Sequence, residues 1–219
     1  MDMMFNQDKQ LLAWLEEDIG SGDITTQAIV GKEQKTRAVI HAKSAGILAG
    51  VELAQRVFEL LDPEIVFEAK LADGALLTDT SVIAVVTVSA RAILTGERLA
   101  LNLLQHLSGI AARTAELAAI ARPYGARLVD TRKTTPGLRL LEKYAVRVGG
   151  GSNHRLGLYD AILIKDNHIK VAGGVKKAVE LAKNYASHMT KIEVEVEDLA
   201  GVREALEAQT DVIMLDNMT

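Results

Sequence analysis

AILIK at 161–165, GVKKAVELAKNYA at 174–186, IEVEV at 192–196, DLAGVREALEA at 198–208 and VIML at 212–215 alternate short apolar runs with longer amphipathic ones. The short runs have the length and apolar content of strands, and the longer ones repeat apolar residues at helical spacing. Strand and helix in succession, joined by short connections, predict a parallel sheet whose right-handed crossovers let it curl towards a barrel. Working back along the chain, RLVD at 127–130 reads as one more strand, with a helix over Leu138–Val148. In such folds the reactive groups gather at the carboxyl ends of the strands. The residue types fit that rule. The first run ends in Asp130, Thr131, Arg132 and Lys133, the second in Lys165, Asp166 and Asn167, and the last in Asp216 and Asn217, while the third carries Glu193 and Glu195.

The first half has a different rhythm. Leu11, Leu12 and Leu15 mark a short opening helix over Asp8–Asp18, broken by Gly20, Ser21 and Gly22. Strands are predicted over Thr36–Lys43, Ile65–Ala69 and Ser81–Ala90, and a helix over Val51–Leu61 that stops at Asp62 and Pro63. Glu97–Arg122, rich in Leu and Ala, predicts one long helix or two meeting near Gly109, closed by Pro123 and Gly125.

With 219 residues and 48% hydrophobic content, the chain can bury one substantial core or two modest ones. Its net charge of -4 gives no global attraction to nucleic acid or to an anionic membrane. The absence of cysteine excludes disulfides, thiolate zinc sites and thiol nucleophiles, and fits a reducing cytoplasm. Met1–Gly20 carries Asp8, Glu16, Glu17 and Asp18, unlike a signal peptide, and no run is long enough to span a bilayer.

Charge is unevenly distributed. From Arg127 to Lys170, nine Lys or Arg stand against four acids, a local excess of +5 in an acidic chain. A local excess of cations is what binding a small polyanion requires. Arg139, Lys143 and Arg147, spaced four apart, read as the solvated face of a helix. Arg132, Lys133, Arg155 and Lys165, on strand ends and loops, read as anion ligands. Arginine forks and lysine point charges together suit a ligand with both carboxylates and phosphates. Gly149, Gly150 and Gly151, followed by Ser152, Asn153, His154 and Arg155, read either as a loop that a ligand approaches closely or as a plain turn. Glu195 and Asp216 are candidate magnesium ligands, or else surface acids balanced by Lys191. His154 is a site candidate, whereas His168 and His188 read as structural or exposed.

Several longer runs carry a resemblance: EEDIGSGDITT at 16–26, AGILAG at 45–50, GERLALNLLQHLSGIAART at 96–114, VDTRKTTPGLRLLEKYAVRVGGGSNHRLGLYDAILIKDNHI at 129–169, IEVEVEDL at 192–199 and DVIMLDNM at 211–218. Together they resemble quinolinate phosphoribosyltransferase, also called nicotinate-nucleotide pyrophosphorylase. The resemblance implies an N-terminal α/β sandwich domain over 1–113 and an irregular α/β barrel over 114–219, stopping at Thr219 short of the family's C-terminal strands and glycine-rich ribose-phosphate loops. It also implies a homodimer or higher homo-oligomer in which Arg98 is donated across the interface. Arg132, Lys133, His154, Arg155 and Lys165 match contacts to quinolinate and phosphoribosyl pyrophosphate. Glu195 and Asp216 match carboxylates near the ribose and magnesium, and Lys133, Lys165, Glu195 and Asp216 form the implied catalytic set. Arg98 alone among these rests on the resemblance.

The implied reaction is attack of the pyridine nitrogen on the anomeric carbon as magnesium pyrophosphate leaves, followed by loss of the adjacent carboxyl to give nicotinate mononucleotide. Within the same chemistry, nicotinate or another ring is an alternative acceptor, as in the molybdenum-associated relatives, although a mono-acid needs fewer cations. Outside it stand a barrel lyase using Lys165 as a Schiff base and a polyanion-binding module without turnover.

Overall fold

The computed structural model describes residues 7–218; residues 1–6, part of the stretch expected to hold no leader, and Thr219, the expected stopping point, lie outside the described residues. The chain forms two compact units that divide between His154 and Arg155, and the domain division expected at 113/114 falls within a helix of the first.

The first unit runs through α1 (Asp8–Ile19), α2 (Ile24–Ile29), β1 (Lys35–His41), β2 (Gly46–Ile47), α3 (Val51–Leu61), β3 (Val66–Ala69), β4 (Leu76–Leu77), β5 (Val82–Ser89), α4 (Ala90–Ala121), a 3-10 turn over Arg122–Tyr124 and α5 (Arg139–Val148). β5 lies between β1 and β3 in an antiparallel sheet. Its run of Val and Ile suits that central place, and Ile83 through Val86 are all buried. The sheet shares one core with α3, α4 and α5: Ile40 and Val86 pack with Val57, Phe58, Leu103, Leu104, Leu107, Leu141 and Ala145. Asp73 starts α3 by accepting the N–H groups of Gly50 at 2.8 Å and Val51 at 3.0 Å, a carboxylate at the positive end of the helix.

α4 is one continuous helix of 32 residues, starting seven residues before its expected start. Gly109 does not divide it. A methyl there would meet nothing within 4 Å, so the glycine faces open space and costs only about 1 kcal/mol against alanine. The strand expected over Arg127–Asp130 is a correction: it is reduced to a single bridge between Val129 and Ser152. Val129 is half-exposed, so this segment lacks the buried ladder that makes a strand.

The second unit contains β6 (Ile162–Ile164), α6 (Asp166–Ala172), α7 (Val175–Tyr185), β7 (Ile192–Val196), α8 (Leu199–Glu207) and β8 (Val212–Leu215). Its sheet is parallel, in the order β6-β7-β8, with Ile164 opposite Val194 and Val196 opposite Leu215. The expected βαβ alternation is present and the fold is α/β. Ile164, Val194 and Val196 bury one face against Val175, Ala178, Val179 and Ala205 of the helices. Because strand side chains alternate, Leu163, Glu193, Glu195 and Met214 take the other face. α6 fills a stretch left unassigned from sequence. Lys165 N–H donates to His168 Nδ1 at 2.9 Å at its start, Lys170 pairs with Asp166 one turn on, and Gly173 ends it with φ 90°.

Candidate active site

Strand geometry in the second unit delivers three candidate residues to one edge. Lys165 follows β6, Glu195 lies near the end of β7, and Asp216 follows β8, its N–H bonded to the Val196 carbonyl at 2.9 Å. Register puts Lys165 beside Glu195, and Lys165 Nζ reaches Glu195 Oε2 at 2.6 Å. Glu195 is largely buried at 15% side-chain exposure, whereas Lys165, at 45%, keeps its ammonium accessible. Parity also places Asp216 on the face of Met214 and Glu195. Arg155 donates to the Ala161 carbonyl at 3.1 Å across a loop that Asp160 closes. The Asp160 carboxylate accepts the N–H groups of Leu156 and Gly157 at 2.6 and 2.8 Å. Burial pushes this carboxyl up, but those backbone donors, with the nearby Arg155 guanidinium, outweigh it and hold Asp160 below the usual aspartate range.

Arg132, Lys133 and His154 lie in the first unit. Arg132 buries its Nε, and that nitrogen has no hydrogen-bond partner among the described residues. A buried guanidinium donor left open is costly, and an anionic ligand would satisfy it. Lys133 is exposed, its N–H turned back to Thr131 Oγ1 at 3.0 Å. The loop continues to Thr135, whose N–H donates to Glu142 Oε2 at 3.1 Å, and Glu142 also meets His106 Nε2 at 3.0 Å. Burial pushes the Glu142 carboxyl up, yet the bonds from Thr135 and His106 leave it below the ordinary glutamate range. Arg98 is exposed on α4 and lines a groove of about 870 Å³ with Trp14, Asn102, His106, Thr135 and Pro136.

Two expectations change. Lys143 is not on a solvated helix face: at 3% side-chain exposure it is buried and donates to Asp130 Oδ1 at 2.5 Å and to the His154 carbonyl at 3.0 Å. Arg147 does face solvent, with its guanidinium 5.9 Å from the Tyr144 ring centre, and the half-buried Arg139 donates to Thr134 Oγ1 at 3.1 Å. The close approach at the triple glycine is made by α4. A methyl on Gly149 would lie 2.3 Å from the Ala111 carbonyl oxygen, and one on Gly151 would lie 2.9 Å from Thr114 Cγ2. His106 and Glu142 are paired here without having been singled out from the sequence, because they lie 36 positions apart, and the pairing of Asp130 with Lys143 spans 13 positions.

The carboxylates do not build a resident metal cage. No group of three or more His, Asp or Glu suited to a metal exists among the described residues, and Lys165 already neutralises Glu195.

The family model described as quinolinate phosphoribosyl transferase, C-terminal domain, matches residues 110–219, and its N-terminal counterpart matches 23–108. The chain belongs to the quinolinate phosphoribosyltransferase family. Relatives in that family include a probable nicotinate-nucleotide pyrophosphorylase [carboxylating] of Synechocystis, 47% identical over 96% of this chain and 71% of its own length. A Bacillus subtilis protein of the same description is 51% identical over 92% of this chain and 69% of its own. Among solved structures, NadC from Streptococcus pyogenes covers all of this chain and 78% of its own, with a TM-score of 0.96 at 48% identity. The nicotinate-nucleotide pyrophosphorylase of Francisella tularensis reaches 0.93 at 41% identity, over 100% of this chain and 79% of its own.

Proposed function

We propose that the chain transfers phosphoribosyl from phosphoribosyl pyrophosphate to quinolinate with decarboxylation, giving nicotinate mononucleotide, pyrophosphate and carbon dioxide for NAD biosynthesis. The Lys165–Glu195 pair on the strand edge carries this reading. As the glycosidic bond breaks, positive charge grows on the ribose while the leaving group stays anionic. A carboxylate and an ammonium held 2.6 Å apart match both signs of that charge distribution. Asp216, on the same face, adds a second carboxylate for the ribose. Arg132, with its open buried Nε, and Arg155, fixed by its loop, are the proposed carboxylate forks for quinolinate, and Lys133 and His154 the further anion contacts. No protein nucleophile is required. Lys165 is already engaged as a donor to Glu195, which disfavours its use as a Schiff base.

Magnesium is proposed to arrive with the pyrophosphate donor, with Glu195 and Asp216 as its nearest protein carboxylates, because these two alone are too few for a protein cage. A homodimer with Arg98 offered to the partner's site is likewise proposed, supported by the exposure of Arg98 at the groove beside Trp14 and Thr135. The absence of cysteine supports a reducing cytoplasm as its place. Among the described residues no helix is long and apolar enough to cross a membrane.

The test supplies quinolinate, phosphoribosyl pyrophosphate and magnesium and measures carbon dioxide and nicotinate mononucleotide, with nicotinate as the control substrate. Equal or better use of nicotinate overturns the substrate assignment.

A further inference from the structure

Asp130 and Lys143 form an ion pair in the first unit at 8% and 3% side-chain exposure. Removing two charges from water is costly, and a pair retained in that position points to a geometric role. Its hydrogen bonds show which geometry it fixes. Asp130 Oδ1 accepts the N–H of His154 at 2.8 Å, and Lys143 Nζ donates to the carbonyl of the same residue at 3.0 Å. One ion pair therefore grips both backbone polar groups of His154. Asn153 completes the frame, its Nδ2 donating to Asp130 Oδ2 at 2.6 Å and to the Lys143 carbonyl at 2.8 Å. The two segments are also joined directly: Ser152 N–H donates to the Leu128 carbonyl at 2.8 Å and Asp130 N–H to the Ser152 carbonyl at 3.1 Å. Arg132, with its open buried Nε, leaves this frame two residues later.

We infer that Asp130 and Lys143 are a positioning pair for phosphoribosyl transfer, holding His154 and the start of the Arg132–Lys133 loop in register without touching substrate. The inference rests on the proposed function and adds residues to its site. The two charges are engaged with each other, with Asn153 and with the backbone of His154, so the effect of the pair passes through that backbone. A misplacement of about 1 Å in a positioned group can cost on the order of 100-fold in rate, which sets the scale of the expected effect.

The test compares the wild-type chain with Lys143→Met, Asn153→Ala and the double variant Asp130→Asn/Lys143→Gln. Circular dichroism establishes the folded fraction, and kcat and the KM for quinolinate are measured per folded molecule. Lys143→Met is expected to raise the quinolinate KM and lower kcat, together on the order of 100-fold in kcat/KM. Asn153 is exposed, so Asn153→Ala keeps the fold and is expected to lose roughly 10-fold. The double variant keeps an acceptor for the His154 N–H and a donor for its carbonyl without charge, and is expected to recover most of the loss. Wild-type kcat and KM in folded Lys143→Met and Asn153→Ala would mean that the pair serves stability alone, which overturns the inference. A folded double variant as impaired as Lys143→Met also overturns it, because the charge itself would then be in use. If Lys143→Met does not fold, Asn153→Ala decides by the same criterion. Failure of the wild-type chain to make nicotinate mononucleotide removes the proposed function and this inference together, whereas an active wild type with unaffected variants removes the inference alone.

Discussion

Arg132 and Asp160 make opposite use of their hydrogen-bonding capacity. Arg132 keeps a buried Nε open, so Arg132→Ala should remove a charge-assisted bond to ligand at no cost in internal bonds from that atom. The expected outcome is a roughly 10- to 100-fold weaker quinolinate Kd by calorimetry with an unchanged denaturation midpoint. Asp160 instead closes its own loop through the N–H groups of Leu156 and Gly157. Its folded carboxyl lies below the ordinary value, so the unfolded state binds the proton more readily. The resulting stability is fully present above the ordinary aspartate range and is lost as pH falls through the lower folded value. Urea midpoints of wild type and Asp160→Asn should therefore differ near neutrality and converge as the pH falls from about 5 to about 2. A gap that stays constant over that range would count against the role given to the Asp160 charge.

At the level of elements, Gly149 is where α5 meets α4. Because a methyl there would lie 2.3 Å from a helix carbonyl and 2.7 Å from Thr114 Cβ, neither of which can turn aside, Gly149→Ala should destabilise by about 2–3 kcal/mol in chemical denaturation. Gly150, with φ 85° and open space around it, should cost only about 1 kcal/mol on the same change, from backbone strain alone. Equal losses at the two positions would remove the packing account. The triple glycine also shows what sequence could and could not supply. Period and length alone placed α3, β7 and β8, since each is an uninterrupted apolar pattern bounded by polar or proline residues. RLVD has the composition of a strand but only one bridge to support it, and strand formation depends on a partner that composition does not reveal. Two-residue β2 and β4 are too short to show a period at all. The site divides along the same line. That Lys165, Glu195 and Asp216 lie at one sheet edge was legible because strand ends have a fixed relation to sheet edges. The burial of Lys143 was not, since its i, i+4 spacing with Arg139 and Arg147 resembles an exposed stripe until Asp130 and His154 are seen beneath it.

For the molecule as a whole, the proposed assembly makes a quantitative demand. If Arg98 serves the partner's site while Glu195 serves its own, each active site draws one residue from each chain. Arg98→Ala and Glu195→Ala homodimers then each carry two defective sites, and both should be nearly inactive. In a hybrid dimer the two defects fall in the same site, and the other site draws intact Arg98 from one chain and intact Glu195 from the other. An equal mixture that exchanges subunits freely forms hybrids as half of all dimers, so activity should rise to about one quarter of wild type. The measurement is the rate of nicotinate mononucleotide formation after the variants are mixed, with dimer mass confirmed by sedimentation. Recovery identifies a shared site, because two defects confined to one chain's own site cannot complement each other. An exchanged mixture no more active than its two components places Arg98 in the site of its own chain. In that case the groove beside Trp14 and Thr135 would be read as a ligand-facing surface of the first unit.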